Sequence, residues 1–297
     1  MFPSHEKLAN LCELAISAAQ QAGQYIAGVD RQSPHIKHKK TGTSLAAQVV
    51  TEVDRHCDQL IRKRLLPSCK ELGFGLLTEE TEDSCERLTT PYFWCVDPLD
   101  GTLPFIEGRP GYAVSIALVS QAGEPILGVI YDPVNGDTFS AQQNHGAFKN
   151  NQKISIRPNK SSEALCVFAD NSFKDQPNFS DIESELKIIA QQFGANNVEI
   201  IYGSGAVKNA CQILDQPLAC YFKPPKSKAG GGSLWDFAAS ACLVREAGGW
   251  VSNMAGDPLD LNRADSTFMN HQGVLYASNK ALADALMAST VIARAGD

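Results

Sequence analysis

The strongest constraint on the fold is a change in strand spacing near residue 158. Before it, after two amphipathic helix patterns, short apolar strand patterns follow one another at turn-length intervals, which is typical of an antiparallel meander. After it, strand patterns alternate with longer helix patterns, which is typical of an α/β sheet. The chain is therefore predicted to fold as two packed units, an α+β unit over residues 1–158 and an α/β unit over residues 159–297.

The apolar periodicity also predicts the longest elements. Apolar residues recur every three or four positions from Leu8 to Ile26, which predicts a long amphipathic helix, and a second helix is predicted after Thr51. The aromatic and β-branched run Tyr92 to Val96 predicts a buried strand. A later helix is predicted from Leu234 to Ala247, because two glycines follow it.

Composition limits the partners. The net charge is −7 and the pI is near 5.4, so we expect no nucleic-acid polymer as a partner, because no basic face is large enough to pair with a run of phosphates. No apolar run approaches about 18 residues and no leader pattern opens the chain, so we expect no membrane span and no secretion. The 9 cysteines show no CxxC pair, which favours a reducing cytoplasm.

The tetrapeptide DPLD occurs twice, at Asp97–Asp100 and at Asp257–Asp260. The first copy follows the predicted buried strand, so its two carboxylates and the Leu99 carbonyl are placed at a strand's carboxyl end, where α/β sites lie. Hard cations such as Mg²⁺ prefer such oxygen ligands, although an Asp-rich turn would have the same sequence. The second copy follows no strand pattern, and we interpret it as a turn.

Two other acidic positions fit the first copy. Glu79 and Glu80 follow an apolar pair at the end of a probable strand, and Asp236 opens a helix pattern behind three glycines. Asp236 by itself is explained equally well as a helix cap, because the helix dipole favours an acid there. Three acidic positions at element ends together favour one shared metal site.

These residues carry a family resemblance that covers nearly the whole chain. The blocks LTEE, WCVDPLDGT, GYAVSIALV, PILGVIYDPV and GGSLWDFAA with EAGG occur in this order. They resemble the signature blocks of the inositol monophosphatase superfamily of Mg²⁺-dependent, lithium-sensitive phosphatases. The resemblance implies a layered αβαβα sandwich of α/β type and hydrolysis of a small phosphorylated metabolite by water that two or three Mg²⁺ ions activate.

The resemblance also implies roles for individual residues. Asp54 and Thr102 resemble the pair that positions and deprotonates the attacking water, and Gly101 with Thr102 resembles the phosphate-binding backbone. Under that mechanism no histidine is needed, so His56 and His145 are predicted to be structural or exposed. The residues that resemble the metal ligands are Glu79, Asp97, Leu99 through its carbonyl, Asp100 and Asp236.

The substrate is approached through departures from the family pattern. Ala229 stands where the inositol monophosphatase branch has an acid, and three lysines surround it, namely Lys223, Lys226 and Lys228. Ser204 and Lys208, in YGSGAVK, resemble the block that meets the nucleotide in the CysQ branch. We therefore expect these two residues, Lys228, Gly101, Thr102 and Asp236 to contact substrate.

The expected substrate is 3′-phosphoadenosine 5′-phosphate, and inositol 1-phosphate is the alternative. A catalytically silent relative that binds metal or nucleotide is a hypothesis of another class, and a solvated surface loop would also explain the lysines. Relatives are monomers or homodimers, and both states stay open. Lys40 is a candidate for a loop lysine near the metals, and Gln48 departs from the family pattern.

Overall fold

The computed structural model of the protein describes residues 3–29, 36–38, 49–159 and 164–293. Lys40 and Gln48 lie outside the described residues. Within them the α-helices are α1 (His5–Gly28), α2 (Glu52–Leu72), α3 (Thr102–Ile106), α4 (Phe179–Gln192), α5 (Ala206–Cys211), α6 (Leu234–Glu246), α7 (Lys280–Ala288) and α8 (Thr290–Ala293). Short 3₁₀ helices cover Glu86–Leu88, Asn171–Asp175 and Gln212–Asp215.

The strands form three sheets. Their bounds are β1 (Ile36–His38), β2 (Val49–Thr51), β3 (Gly75–Thr78), β4 (Tyr92–Asp100), β5 (Ala113–Ser120), β6 (Pro125–Asp132), β7 (Asp137–Gln142), β8 (Gly146–Lys149), β9 (Gln152–Ile154), β10 (Leu165–Ala169), β11 (Val198–Tyr202), β12 (Ala219–Lys223), β13 (Trp250–Ser252) and β14 (Val274–Ala277). A large sheet has the order β3-β4-β5-β6-β7-β8-β9, and a second sheet has the order β11-β10-β12-β14-β13. Strands β1 and β2 pair separately.

The predicted meander is the large sheet. From β4 to β9 each strand pairs antiparallel with the next, and β3 alone joins β4 in parallel. In the second sheet β10 pairs in parallel with β11 and β12, as the alternation of strands and helices predicted. Strand β14 is antiparallel to its neighbours β12 and β13. The three-residue strand β13 was not predicted.

The helices and sheets stack in five layers, which confirms the predicted αβαβα architecture. Helices α1 and α2 cover the outer face of the large sheet with one apolar cluster. Helices α5 and α6 lie between the two sheets in a second cluster, and α4, α7 and α8 cover the outer face of the second sheet in a third. The division into units at residues 158 and 159 stays a prediction, because the middle cluster draws residues from both sides of it.

The central position of α6 explains its composition. Every residue from Phe237 to Val244, more than two full helical turns, is at most 2% exposed, so the helix is buried on all sides. A helix that is apolar all round requires cover on every face, which the two sheets provide. Its first turn, which carries Asp236, is thereby held rigidly between the two sheets.

The second DPLD copy is the turn that its sequence predicted. Asp257 and Asp260 are exposed, and the Asn253 side chain accepts hydrogen bonds from the backbone N–H of Ala255 and Asp257. Leu259 between them is buried in the middle cluster. An Asn side chain that bonds the backbone two residues on is the usual stabiliser of such a turn.

Candidate active site

The first DPLD copy lies inside strand β4 rather than after it. The register of β4 against β5 shifts between Asp97, opposite Ser115, and Asp100, opposite Ala113, so β4 has one extra residue there. Residues three apart in a regular strand face opposite sides of the sheet. A β-bulge removes that alternation and re-aims a side chain. The bulge therefore lets both carboxylates face the same space.

Asp100 is held by the middle helical layer. Its Oδ1 accepts a hydrogen bond from the backbone N–H of Ala206 (3.0 Å) and its Oδ2 from that of Val207 (2.9 Å), at the start of α5. Gly205 makes the approach possible, because a Cβ at that position would collide with the Asp100 carboxylate. Asp100 is 6% exposed, so its carboxylate is buried against backbone donors.

Asp236 completes a group of three carboxylates. It sits in the first turn of α6, where its Oδ2 accepts the backbone N–H of Ser233 at 2.5 Å, so it does cap the helix. One carboxylate oxygen from each of Asp97, Asp100 and Asp236 lies within 4.8 Å of the others. The cap and the cluster are compatible, because a carboxylate has a second oxygen with free lone pairs.

Glu79 and Asp54 border the same cluster. The Glu79 N–H donates to the Val96 carbonyl of β4 (3.2 Å), which ties the end of β3 to the strand that carries Asp97. Desolvation raises the pKa of Glu79 well above 4.5, and the negative charges of Asp236 and Asp54 raise it further. Asp54, in the first turn of α2, is 5% exposed.

The electrostatics of the cluster fit a bound cation. Desolvation raises the pKa of Asp97 well above 3.8, and the charges of Glu79, Asp100 and Asp236 add to it. Desolvation and Asp236 likewise raise the pKa of Asp100. Like charges this close destabilise one another's ionised form. The positive charge near these carboxylates is too small to offset their repulsion, and a bound cation would offset it. Convergent carboxylate oxygens are also the ligands that hard divalent cations prefer.

Thr102 and Gly101 follow the cluster directly. The Thr102 hydroxyl donates to the Leu99 carbonyl at 3.3 Å, so it lies beside one of the predicted ligand atoms. Gly101 has φ of +82°, in the left-handed region, and a Cβ there would press on the Gly111 carbonyl. The chain can make this turn at the mouth of the site only because residue 101 is glycine.

A cleft of about 370 Å³ adjoins the cluster, next to the carboxyl ends of β10 and β12. The Nζ of Lys223, at the end of β12, pairs with Asp170 at 2.8 Å. Desolvation raises the pKa of both Asp100 and Asp236, and the Lys223 charge offsets part of that rise. Lys223 therefore links the cleft to the carboxylates. The cleft is lined by Asp170, Ser172, Phe173, Asp175, Gln176, Pro177, Phe222, Lys223, Pro224, Lys226, Gly231, Met269, Asn270, Gly273 and Val274.

The structure separates the residues predicted to contact substrate. The Lys208 ammonium forms an ion pair with Asp132 at 2.7 Å, at the end of β6. Lys228 and Ala229 are exposed and do not line the cleft, whereas Lys223 and Lys226 do. Ser204 precedes α5 and its carbonyl accepts from the Asn209 amide at 3.4 Å. The positive charge at the cleft therefore comes from Lys223 and Lys226 rather than from Lys208 and Lys228.

Asp170 is a residue of this region that the sequence reading missed. Its Oδ1 accepts from the Tyr221 hydroxyl (3.2 Å) and the Asn209 amide (3.3 Å), and its Oδ2 accepts from Lys223. A signal was present in the sequence, because Asp170 follows the apolar run Leu165–Ala169 just as Asp97 follows the apolar run Tyr92–Val96.

The predicted histidines lie outside the cluster. His56 is exposed and its ring lies 4.1 Å from that of Tyr25, and the ring of His145 lies 4.1 Å from that of His5. Both residues are on the outer helical layer or the turn before β8. Their positions agree with a structural or exposed role.

Comparison with known proteins gives the family. The family model described as "Inositol monophosphatase family" matches residues 7–294, so the chain belongs to the inositol monophosphatase family. The predicted resemblance is therefore confirmed. The family is one of metal-dependent phosphatases, and the protein is a phosphoric monoester hydrolase of this family.

The individual relatives carry different names. The chain is 33% identical to "Inositol monophosphatase 2" of Solanum lycopersicum over 255 residues, which is 84% of this chain and 89% of the relative. It is 29% identical to "3'(2'),5'-bisphosphate nucleotidase CysQ" of Aggregatibacter actinomycetemcomitans over 275 residues, or 90% and 92%. The extragenic suppressor protein suhB of Bartonella henselae superposes with a TM-score of 0.71 at 25% identity, covering 95% of this chain and 99% of that one.

No helix among the described residues has both the length and the apolarity needed to cross a membrane. All 9 cysteines are free thiols, and Cys85 is the exposed member of the set.

Proposed function

We propose that the protein is a Mg²⁺-dependent 3′(2′),5′-bisphosphate nucleotidase, which hydrolyses 3′-phosphoadenosine 5′-phosphate to AMP. The observation that carries this proposal is the cleft beside the carboxylate cluster, with ammonium groups of Lys223 and Lys226 in its lining. A substrate with one phosphate at the cluster would present its nucleoside and its second phosphate to that cleft. Phe173 and Phe222 supply the apolar walls that a purine base needs.

The metal proposed for the site is Mg²⁺, in two or three positions. The proposed ligands are Glu79, Asp97, the Leu99 carbonyl, Asp100 and Asp236. All of them offer oxygen, which is the ligand atom that Mg²⁺ selects. When bound, the ions would offset the phosphate charge and lower the pKa of a water molecule.

The chain's own residues would position the reactants. The Thr102 hydroxyl, beside the Leu99 carbonyl, is proposed to orient the attacking water, and Asp54 is proposed to take its proton. The left-handed turn at Gly101 would let its backbone and that of Thr102 approach the phosphate oxygens closely. Lithium inhibition and a cytoplasmic location, which suits a chain of free thiols, belong to the same proposal.

Lys226 is suited to the second phosphate. Desolvation lowers its pKa, and the charge of Lys223 lowers it further, so the ammonium lacks a sufficient anion in the free protein. Its backbone is fixed, because the Lys226 N–H donates to the Asn270 carbonyl (2.8 Å) and its carbonyl accepts the Asn270 amide (3.0 Å). A phosphate would relieve the repulsion between the two ammonium groups and gain charge-assisted hydrogen bonds.

The test compares two lysine variants of the same loop. Lys226→Met is expected to lower kcat/KM for 3′-phosphoadenosine 5′-phosphate by about 10–100-fold, since a hydrogen bond to a charged group contributes about 1.5–3 kcal/mol. Lys228→Met, a loss of the same charge at an exposed position outside the cleft lining, is expected to change it by less than about 2-fold. Phosphate release from p-nitrophenyl phosphate, which has no second phosphate, should be equal in both variants.

Equal losses in the two variants would contradict the role of Lys226. Absence of Mg²⁺-dependent phosphate release from every monoester would contradict the phosphatase proposal itself and would favour the catalytically silent relative.

Inositol 1-phosphate is the second candidate substrate. The 33% identity to an inositol monophosphatase favours it, as does Asp170, whose carboxylate lines the cleft and could accept hydrogen bonds from sugar hydroxyls. In that case Asp170 would supply the acid that Ala229 lacks. Equal concentrations of the two substrates would separate the candidates, and Asp170→Asn should impair only the inositol reaction if Asp170 holds hydroxyls.

A further inference from the structure

Helix α5 connects the candidate site to a buried ion pair between Lys208 and Asp132, the last residue of β6. Its first two N–H groups hold the Asp100 carboxylate at 3.0 and 2.9 Å. The next residue, Lys208, reaches Asp132 at 2.7 Å, and the side chains of this pair are only 13% and 3% exposed. The first turn of the same short helix thus contacts a proposed metal ligand through two backbone N–H groups and a buried carboxylate through a lysine side chain.

Asp132 is a rigid anchor. Its Oδ1 accepts the backbone N–H of Val134 (2.9 Å) and of Asn135 (3.2 Å), and its Oδ2 accepts the Asn135 amide (2.9 Å) in addition to Lys208. Burial alone would raise the pKa of Asp132, but the hydrogen bonds and charge of Lys208 and the bonds from Asn135 lower it overall. The Asp132 carboxylate is therefore ionised, and each of its oxygens accepts two hydrogen bonds.

A helix as short as α5 needs such an anchor. It spans Ala206–Cys211, and a helix of this length is unstable without tertiary contacts. Burying a charged pair is costly and contributes little to stability when compared with apolar packing, but it specifies one geometry. Groups that orient a metal ligand from behind alter metal affinity even though they do not touch the metal.

We infer that the Lys208–Asp132 ion pair is a positioning device, which holds α5 against the large sheet so that the Ala206 and Val207 N–H groups fix the carboxylate of Asp100. The inference rests on the proposed role of Asp100 as a metal ligand. It replaces the expected substrate contact of Lys208 with a contact that acts through the helix backbone.

The experiment uses Lys208→Met, Lys208→Arg and the control Lys149→Met in the full chain. Lys149 pairs with Asp137 at 2.8 Å next to the same β6–β7 turn, and both members of this pair lie on strands of the large sheet. The Lys149 charge also acts on Cys211 at the last residue of α5, so this control tests whether the loss of any lysine charge near α5 disturbs its first turn. Hydrogen exchange at the Ala206 and Val207 amides is measured in the metal-free protein. Mn²⁺ affinity is measured by calorimetry, beside kcat/KM.

Lys208→Met is expected to speed exchange at these two amides by at least about 10-fold and to weaken Mn²⁺ binding by about 10–100-fold. Lys149→Met should leave both values within about 2-fold of the wild type. Lys208→Arg keeps the positive charge, so it should retain most of the amide protection and most of the Mn²⁺ affinity. A folded Lys208→Met protein with wild-type exchange and wild-type Mn²⁺ affinity would overturn the inference.

If Lys208→Met does not fold, the double variant Asp132→Asn/Lys208→Met removes the stranded buried charge as well. We expect it to recover a cooperative unfolding transition but not the amide protection or the Mn²⁺ affinity; recovery of all three would overturn the inference. A wild-type protein that binds no Mn²⁺ would contradict the proposed metal site, whereas the exchange data would still report whether the ion pair orders α5.

Discussion

At the scale of single residues, Asp97 has the most constrained position in the cluster. It is 1% exposed, and it lies within hydrogen-bond reach of both Glu79 and Asp236, so it occupies the centre of the carboxylates. Its Oδ1 also accepts the Leu99 N–H at 3.0 Å, inside the bulge. The ionised Asp97 carboxylate destabilises the metal-free protein, because it is buried among other carboxylates. Such destabilising groups are typical of functional sites.

Asp97→Asn should therefore separate stability from activity. The amide oxygen can still accept the Leu99 N–H, while the loss of a buried charge should raise the free energy of unfolding of the metal-free protein by about 1 kcal/mol or more. Turnover should fall by more than about 100-fold, since a proposed ligand itself is changed rather than a group behind it. Urea unfolding with a chelator present and phosphate release would measure the two effects.

Asp257→Asn is the matched control for that variant. Asp257 is the equivalent first acid of the second DPLD copy and is exposed in a turn. We expect no change in turnover and less than about 0.5 kcal/mol in stability. A less stable Asp97→Asn protein would show that the carboxylate contributes to the fold through contacts other than those seen at the bulge.

At the scale of elements, the site depends on how closely α5 approaches β4. Gly205 precedes the helix, and its backbone lies against the Asp100 carboxylate. Any side chain at that position would push either the carboxylate or the helix away. The distance between the two elements is therefore set by the absence of a Cβ at one residue.

Gly205→Ala should damage the site without unfolding the protein. We expect kcat/KM to fall by about 10–100-fold, because Asp100 must move away from its backbone donors, and stability to drop by about 1–3 kcal/mol, as is usual for overpacking. Gly28→Ala, at the exposed end of α1 where a Cβ would contact nothing within 4 Å, is the control. Kinetics and denaturant unfolding of the two variants would check this, and equal activity in both would contradict the close approach.

At the scale of the whole molecule, the carboxylate cluster makes stability depend on pH. The pKa values of Glu79, Asp97, Asp100 and Asp236 are all raised in the folded protein, by desolvation first and then by the charges of neighbouring carboxylates. The folded state then binds more protons than the unfolded state between the ordinary and the raised pKa values. Its free energy of unfolding must fall as pH increases through that range.

The metal-free protein should accordingly be less stable at pH 8 than at pH 5. The stabilising effect of protonation is complete below the ordinary pKa values of 3.8 and 4.5 and is lost as pH rises through the raised ones. His271, whose pKa is lowered mainly by desolvation, opposes this trend with a single group. Urea unfolding with a chelator at both pH values is the measurement, and Mg²⁺ should restore stability at pH 8 because cations offset the repulsion.

Asp97→Asn serves as the control here as well, since it should flatten the dependence on pH. A metal-free protein that is more stable at pH 8 than at pH 5 would contradict the raised pKa values.

Much of the fold could be predicted because its signals are local. The run Leu8–Ile26 carries a helical period, and the segment from Ala113 to Val119 is apolar except for Ser115; each forms the element that its pattern indicates. Strand β13 escaped prediction because three residues are too few to show a period. The extension of β4 to Asp100 also escaped, because proline usually ends a strand and a bulge has no sequence period of its own.

The candidate site was predictable where acids lie at the ends of predicted elements. Asp97 and Asp100 after a strand pattern, and Asp236 at the start of a helix pattern, were singled out for that reason and converge in the structure. Lys208, Lys228 and Lys226 show the limit, since long flexible side chains of equal charge give no sequence signal for direction. One is buried in an ion pair, one is exposed, and one lines the cleft.

The sequence by itself therefore determined the main helices and strands, because periodicity is a property of neighbouring positions. Its signature blocks determined the family, and with it the expected layered fold and the acidic residues that meet at the site. Only the tertiary structure decided that a bulge turns Asp97 and Asp100 to one side and that backbone N–H groups of α5 donate hydrogen bonds to Asp100. It also decided that Lys208 forms an ion pair with Asp132, whereas Lys226 lines the cleft. These facts depend on contacts between residues far apart in the sequence, such as Asp100 and Ala206, which are 106 positions apart. Such contacts form only when the sheets close around the middle helices.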